Sequence, residues 1–281
     1  MKRLIQEWQV FRATLMFLTR LPVGKSLPNA AGLMQQTPRY FTLVGLVVGG
    51  IQAAATIGAY VVFQNAALAI ALGMLAAILT TGAFHEDGLA DTCDAFGGGW
   101  SRERILEIMK DSRIGSFGTV GLVAALGIRF LALQNIPLDV TTCLMQENTL
   151  YQRFVLITVA LLAGHSLSRL MAVTALQTHP YAGHLSHSKS KPLANQPPGI
   201  KALLLATAIA LLPMLLVPWH YLLALLPMYL VRTAMLRYFT RWIGGYTGDC
   251  LGAIQQVTEI VFYLCFMPLA RWVPTLGGVP V

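Results

Sequence analysis

Residues 66–94 read AALAIALGMLAAILTTGAFHEDGLADTCD, an apolar run that ends directly in a cluster of acids. The run Ala66–Phe84 has no charged residue and is about as long as the ~17–25 residues that a helix needs to cross a bilayer. Asp87, Asp91 and Asp94 follow at positions i, i+4 and i+7, so on a helix their carboxylates share one face. The stretch therefore predicts a membrane-spanning helix with an acidic site at its end.

The whole chain has the composition of a polytopic membrane protein. Of its 281 residues, 56% are hydrophobic and only 11% are charged, whereas soluble domains carry about 25% charged residues. We therefore predict an all-α integral membrane protein whose residues 1–281 form a single domain. A homo-oligomer is compatible with this composition.

Seven apolar runs are long enough to span, which predicts about seven transmembrane helices within residues 41–272. In residues 1–40, apolar side chains from Ile5 to Leu18 recur at helical spacing among basic ones, which indicates an interfacial amphipathic helix. The fifth and sixth runs are separated only by Pro218-Trp219-His220, so they could also form one broken hairpin. The runs are Phe41–Phe63, Ala66–Phe84, Phe117–Leu133, Phe154–Ala175, Ala202–Pro218, Tyr221–Tyr238 and Gly252–Ala270.

The basic residues predict the orientation of the chain. A net charge of +8 would suggest nucleic acid in a soluble protein, but here 16 of the 20 Lys and Arg residues fall in four alternate segments. The positive-inside rule places these segments in the cytoplasm. We expect a multi-pass protein of the bacterial inner membrane, with the lipid bilayer and not nucleic acid as its partner and with its acidic site facing the cytoplasm. The segments are 1–40, 85–113, 177–201 and 232–250.

The acid cluster predicts a metal site. Three converging carboxylates repel each other unless a cation lies between them, and oxygen ligands suit Mg²⁺. We predict that Asp87, Asp91 and Asp94 bind Mg²⁺, which in turn would hold a phosphate or pyrophosphate. A solvated helix end followed by the flexible turn Gly97–Gly99 is the structural alternative.

Further candidate site residues flank the later spans. Lys110, Asp111, Ser112 and Arg113 precede the third span, where an Arg fork and backbone donors could bind phosphate; a membrane anchor with a helix cap is the other interpretation. Inside the spans, charged residues normally face a polar cavity or pair with each other. The polar and charged residues inside the spans therefore either line a substrate chamber or include a structural Arg–Glu pair. This intramembrane set is Arg129, Ser168, Arg169 and Glu259.

Two loops complete the candidates. Gly248 and Asp249 lie where a glycine-rich loop leads into the last helix, and Asp249 is either a catalytic acid or a plain N-cap. His179, His184 and His187 lie in a basic polar loop without zinc-ligand spacing, which favours a solvated segment. His85, beside the acids, is either a proton-transfer group or a supporting residue.

Taken together, these segments resemble the adenosylcobinamide-GDP ribazoletransferase family, also called cobalamin (5′-phosphate) synthase. The resemblance spans nearly the whole chain, and its HxDGxADxxD element is specific. Two departures are Gln256, near which the family has another carboxylate, and Gly183–His187, where it has a glycine-rich stretch. The matching elements are Phe17–Pro22, Thr81–Asp94, Ile108–Gly115, Ser168-Arg169 and Thr247–Ala253 with Glu259.

The resemblance implies the last assembly step of cobalamin synthesis. A hydroxyl of α-ribazole, or of its 5′-phosphate, attacks the phosphate on the aminopropanol arm of adenosylcobinamide-GDP, and GMP leaves. Mg²⁺ on the three aspartates would hold the pyrophosphate, Arg113 and Arg169 would bind its oxygens, and an acid of the cluster or Asp249 would accept the hydroxyl proton.

Two other functions fit parts of the pattern. A CDP-alcohol phosphotransferase also has a DGxxA-type acidic motif, but Asp91 and Phe84 stand where it has an Arg and an Asp. A cation-coupled transporter would place acids near the midplane of the membrane and often shows inverted repeats, whereas these acids lie at its margin.

Overall fold

The computed structural model describes residues 2–24, 27, 30–136, 150–183 and 197–271. Within them the secondary structure is helical, apart from an isolated parallel bridge between Tyr181 and Tyr246, so the all-α prediction is confirmed. Short 3₁₀ helices cover Thr37–Tyr40, Leu212–Leu216 and Trp219–Ala224. The α-helices are α1 (Lys2–Leu18), α2 (Ala30–Met34), α3 (Phe41–Phe63), α4 (Ala66–Thr81), α5 (Phe84–Gly98), α6 (Arg102–Ile108), α7 (Ser116–Gln134), α8 (Leu150–Thr178), α9 (Ile200–Leu211), α10 (Leu225–Ile243) and α11 (Gly248–Arg271).

By length and composition, five helical segments of the described chain can cross a membrane, or six if the bent pair α4–α5 counts as one span. The polytopic fold is confirmed, but the predicted count of seven is not. The run Ala202–Pro218 is a shorter apolar helix that tightens into a 3₁₀ turn at Pro213, because proline cannot continue an α-helical ladder. The five segments are Thr37–Phe63, Ser116–Gln134, Phe154–Thr178, Trp219–Ile243 and Gly248–Leu269.

The chain turns by 88° between α4 and α5, immediately before the acids. Gly82 and Ala83 are both in the left-handed region, with φ of 65° and 58°, and such a conformation is uncommon for a residue with a side chain. The amide of Ala83 closes the helix end on the Ile78 carbonyl at 3.0 Å, while the Arg20 amide donates to the Thr80 carbonyl at 2.7 Å. The segment that follows α1 therefore holds this corner, and α5 runs at a steep angle to α4.

The helices α8 and α11 form the centre of the bundle, since most of their residues are buried, whereas most residues of α3, α7 and α10 are only partly buried or exposed. Two glycines bring α3 against α8. A methyl group on Gly45 would lie 2.6 Å from the His165 carbonyl oxygen, and one on Gly49 would lie 2.7 Å from that of Leu161. Small residues at helix contacts are the usual way for membrane helices to approach closely.

The N-terminal helix α1 has the predicted amphipathic character. Leu15 and Leu18 are buried against the bundle, while Leu4, Ile5 and Trp8 are more than half exposed. An apolar strip that the rest of the fold leaves uncovered is typical of a helix lying at a membrane surface.

Candidate active site

The acid-bearing helix α5 crosses the start of α11 at a glycine contact. A methyl group on Gly88 would lie 3.0 Å from the carbonyl oxygen of Asp249, and one on Gly252 would lie 3.2 Å from that of His85. Neither position has room for a larger residue without a shift of the two helices. This crossing brings the first turns of α5, with Asp87, beside the first turn of α11.

Four aspartates lie near the crossing. The carboxylate of Asp91 is close enough to interact electrostatically with those of Asp249, Asp87 and Asp94, and Asp249 also interacts with Asp87. Within the described residues, no Lys, Arg or His forms an ion pair with any of the four. The site therefore has an uncompensated negative charge, which favours a cation.

Asp94 has a second, structural task. Its carboxylate oxygens accept the amide hydrogens of Gly115 at 2.7 Å and Gly118 at 2.8 Å, at the N-terminus of α7. These amides have no partner inside their own helix, so Asp94 caps α7 from α5.

Carboxylate oxygens are ligands that suit Mg²⁺. However, the described residues contain no group of three His, Cys, Asp or Glu side chains that already converges as a metal site.

The loop before α7 is more exposed than a closed phosphate clamp would be. Arg113 binds its neighbour Asp111 at 2.6 Å, and its side chain is 87% exposed. Hydrogen bonds from Arg113 lower the pKa of Asp111 to about 2. Lys110 and Ser112 are also exposed. The loop borders the acids through Gly115, and its predicted substrate-binding role stays a prediction.

Beneath the acids, a charged network lies entirely inside the bundle. Arg129 binds Glu259 at 2.8 Å and Glu86 at 3.7 Å, and the exposed fractions of the three side chains are 1%, 1% and 8%. Its guanidinium also donates to the amide oxygen of Gln52 at 3.1 Å, while His165 contacts the other Glu259 oxygen at 3.2 Å. In the described structure Arg129 and Glu259 thus form the Arg–Glu pair that the sequence left open, and a role for them in substrate binding remains a prediction.

Arg169 differs from Arg129, because no described acid lies within ion-pair distance of it. It donates to the His165 carbonyl oxygen at 2.8 Å, and its buried Nε has no partner among the described residues. The side chain borders a narrow cavity of about 30 Å³, room for one water molecule, next to His85, Gly248 and Gln255. Arg169 therefore shares a cavity wall with Gly248, the first residue of α11.

Two glutamines of α11 add hydrogen bonds between this helix and the rest of the network. Gln255 donates to the Ser168 hydroxyl at 2.9 Å and also to Glu259. Gln256, where the resemblance leads us to expect an acid nearby, donates to Glu86 at 3.1 Å. An amide at this position can donate to Glu86, which a carboxylate could not do.

Comparison with known proteins decides the family. Residues 10–267 match the model of a family described as cobalamin-5-phosphate synthase. The chain belongs to this family. A relative in Shewanella pealeana is 41% identical over 271 residues, covering 94% of this chain and 98% of its own length. Relatives in Leptospira interrogans and Vibrio cholerae are 38% and 40% identical, with 94% and 92% of this chain and 97% and 93% of their own lengths covered. All three carry the name adenosylcobinamide-GDP ribazoletransferase. No solved structure matches the chain.

In this member of the cobalamin-5-phosphate synthase family, the structure adds residues that sequence reasoning missed. Gln52, Glu86, His165 and Tyr263 complete the buried network, with the Tyr263 hydroxyl donating to Glu259 at 3.0 Å. A signal existed for Gln52, His165 and Tyr263, because a polar side chain in an apolar span needs a partner, whereas Glu86 lies within the acidic motif itself. His184 and His187 of the predicted polar loop lie outside the described residues.

Proposed function

We propose that this protein joins adenosylcobinamide-GDP to α-ribazole, or to its 5′-phosphate, and releases GMP. The product is adenosylcobalamin or its 5′-phosphate. The relatives' name supports this reaction, and one structural observation carries it. Near the α5–α11 crossing, four aspartates have no described basic partner: Asp87, Asp91, Asp94 and Asp249. Such carboxylates suit a metal ion, which in turn would bind the two phosphates of the substrate.

The reaction exchanges the phosphoanhydride bond of the pyrophosphate for a phosphoester bond. The ribazole hydroxyl oxygen forms a bond to the phosphorus on the aminopropanol arm, the bond from that phosphorus to the GMP oxygen breaks, and the hydroxyl proton passes to a carboxylate. We assign this role to Asp249, which interacts with Asp87 and Asp91 from a different helix. Positioning and charge stabilisation supply most of the rate in phosphoryl transfer.

Magnesium is part of this proposal. Asp87 and Asp91 are the ligands that we assign to it, with Asp94 as the third carboxylate and Asp249 beside them. Mg²⁺ bound there would neutralise charge on the pyrophosphate. Arg169 and Gly248 border the same narrow cavity at the start of α11, and we propose that a single phosphate oxygen enters it and binds the guanidinium. Arg113 would reach the same phosphates from the loop before α7.

The proposal also includes the side of the membrane that the site faces. The Lys and Arg distribution supports a cytoplasm-facing site in the bacterial inner membrane, on the side where nucleotides are found. The exposed apolar residues of α1 would lie against that surface of the bilayer.

The test is turnover by the purified protein in liposomes. With adenosylcobinamide-GDP, α-ribazole 5′-phosphate and Mg²⁺, we expect release of GMP, and Asp87→Asn, Asp91→Asn and Asp249→Asn should each lower the rate by more than about 100-fold. Glu107→Gln, which changes an exposed acid on α6, is the matched control and should turn over normally. Equal GMP release by the wild type and all three aspartate variants would refute the proposal.

A further inference from the structure

A second cavity lies near the site and has no role in the function proposed so far. It measures about 280 Å³, and its wall includes Thr178, His179, Pro180, Tyr181, Pro197 and Tyr246. We name it the His179 pocket. Its volume is close to the roughly 300 Å³ at which small-molecule sites begin, so it suits one part of a substrate better than a whole one.

The wall of the His179 pocket is fixed to the segment that leads into the acid cluster. The Tyr246 amide donates to the Pro180 carbonyl at 3.1 Å, and the Ala182 amide donates to the Tyr246 carbonyl at 2.8 Å. Gly245 lies so close to the Pro180 carbonyl that no side chain fits there. Tyr246 is only three residues before Asp249, so whatever occupies the pocket is held near the carboxylates.

Two aromatic rings line the pocket. Those of Tyr181 and Tyr246 lie 5.7 Å apart, with their planes at 77°. Burial raises the pKa of Tyr246 to about 12, so its phenol stays neutral and keeps its proton. A neutral ring face beside hydroxyl and imidazole groups is suited to stacking against a planar heterocycle and donating to its edge.

A buried positive charge lies behind the same wall. Arg232 is 2% exposed and donates to the hydroxyl of Thr178, which in turn contacts His179 Nδ1 at 2.8 Å. Its Nε has no partner, and no acid lies within ion-pair distance of it among the described residues. Burial, together with Arg232, lowers the pKa of His179, which keeps that imidazole neutral. An uncompensated guanidinium next to the cavity favours a ligand that also carries negative charge.

We propose that the His179 pocket binds the planar base of a nucleotide-like substrate. This inference rests on the proposed function, in which both reactants carry a base, guanine in one and the ribazole heterocycle in the other. The shared chemistry is an aromatic heterocycle on a phosphorylated ribose. Seated there, the base would direct its phosphate toward Asp249 and the α5–α11 crossing.

The test measures binding without turnover. The full chain in detergent is titrated calorimetrically with GMP, with α-ribazole 5′-phosphate and with ribose 5-phosphate, which has no base. In Tyr181→Leu we expect roughly ten-fold weaker binding of one base-bearing ligand, from the loss of stacking, and unchanged binding of ribose 5-phosphate. Weaker binding of GMP would assign the pocket to guanine, and weaker binding of α-ribazole 5′-phosphate would assign it to the acceptor.

Two further variants make the result specific. Tyr181→Phe keeps the ring and should bind like the wild type, so it separates the contribution of the ring from that of the hydroxyl. Tyr60→Leu makes the same change in a half-buried tyrosine that packs edge-on against Phe154 far along α3, and should leave all three affinities unchanged. Equal affinities of Tyr181→Leu and wild type for both base-bearing ligands would overturn the pocket assignment, as would an equal loss for ribose 5-phosphate.

The pocket and the reaction can fail separately. If the liposome assay releases no GMP but Tyr181→Leu still binds a base-bearing ligand more weakly, the proposed function fails and the base pocket stands. If GMP is released and Tyr181→Leu has an unchanged KM for both substrates, the pocket assignment fails and the reaction stands.

Discussion

Arg129 and Glu259 form an ion pair of 2.8 Å in which each side chain is only 1% exposed. The pair joins α7 to α11 in the interior and contacts α5, the helix that carries the aspartates, through Glu86. With Arg169 and Glu86 close by, two guanidinium groups and two carboxylates balance each other in charge. Removing one member leaves a buried charge uncompensated, which costs much more than the intact pair contributes.

Glu259→Gln should therefore destabilise the protein severely. We expect a loss of about 3–5 kcal/mol, visible as a lower unfolding temperature of the detergent-solubilised protein. The double variant Arg129→Gln/Glu259→Gln should lose less stability than the two single variants combined, because neither member of the ion pair is then buried without the other. Strictly additive losses would show that the two side chains do not interact.

The glycine contact between α5 and α11 should control activity. Gly88→Ala places a methyl group 3.0 Å from the Asp249 carbonyl oxygen, so the helices must separate and the aspartates move apart. We expect turnover to fall on the order of ten- to 100-fold, since small displacements of catalytic groups have effects of that size. The measurement is kcat in liposomes.

Gly127→Ala is the matched control for this prediction. Gly127 also lies within a helix, but nothing surrounds the position within 4 Å. It should keep wild-type turnover, and alanine should stabilise α7 slightly through its helix propensity. Equal activity of Gly88→Ala and Gly127→Ala would mean that the close crossing is not needed.

Asp94 should behave differently from Asp87. Asp94→Ala leaves the amides of Gly115 and Gly118 without their acceptor, and loss of such a cap costs about 1–2 kcal/mol. Asp87→Ala removes no described hydrogen bond and relieves repulsion, so thermal unfolding should show it to be at least as stable as the wild type. Equal destabilisation by both substitutions would contradict the capping role.

The two arginines assigned to phosphate should respond unequally to lysine. Arg169 is buried and borders the cavity at the start of α11, whereas Arg113 is exposed to solvent and forms an ion pair with Asp111. Lysine keeps the charge but loses the planar fork and its second donor. Arg169→Lys should therefore lower kcat/KM at least about ten-fold, and Arg113→Lys less than that. Steady-state kinetics with varied adenosylcobinamide-GDP measures both, and the reverse order would place the phosphates at the loop before α7.

Much of the fold and part of the site could be predicted from local sequence. The long apolar runs indicated a helical membrane protein, and the spacing of Asp87, Asp91 and Asp94 indicated one helix with acids on a shared face. The count of spans could not be obtained in the same way. Hydropathy does not reveal that Gly82 and Ala83 adopt left-handed conformations, which turn the chain between α4 and α5. Nor does it reveal that the helix within Ala202–Pro218 ends in a 3₁₀ turn at Pro213.

The sequence by itself determined the class of fold, the family and the acidic motif, because hydrophobic periodicity and short motifs are properties of neighbouring residues. Only the tertiary structure decided which charges pair. Arg129 could have faced a phosphate or Glu259, and Asp94 could have remained free instead of capping α7. Those outcomes depend on helices that meet through Gly88 and Gly252, and on partners as distant as Gln256 and Glu86, 170 positions apart. A buried polar group pairs with whichever partner lies within hydrogen-bonding distance, and the packing of the whole bundle decides which partner that is.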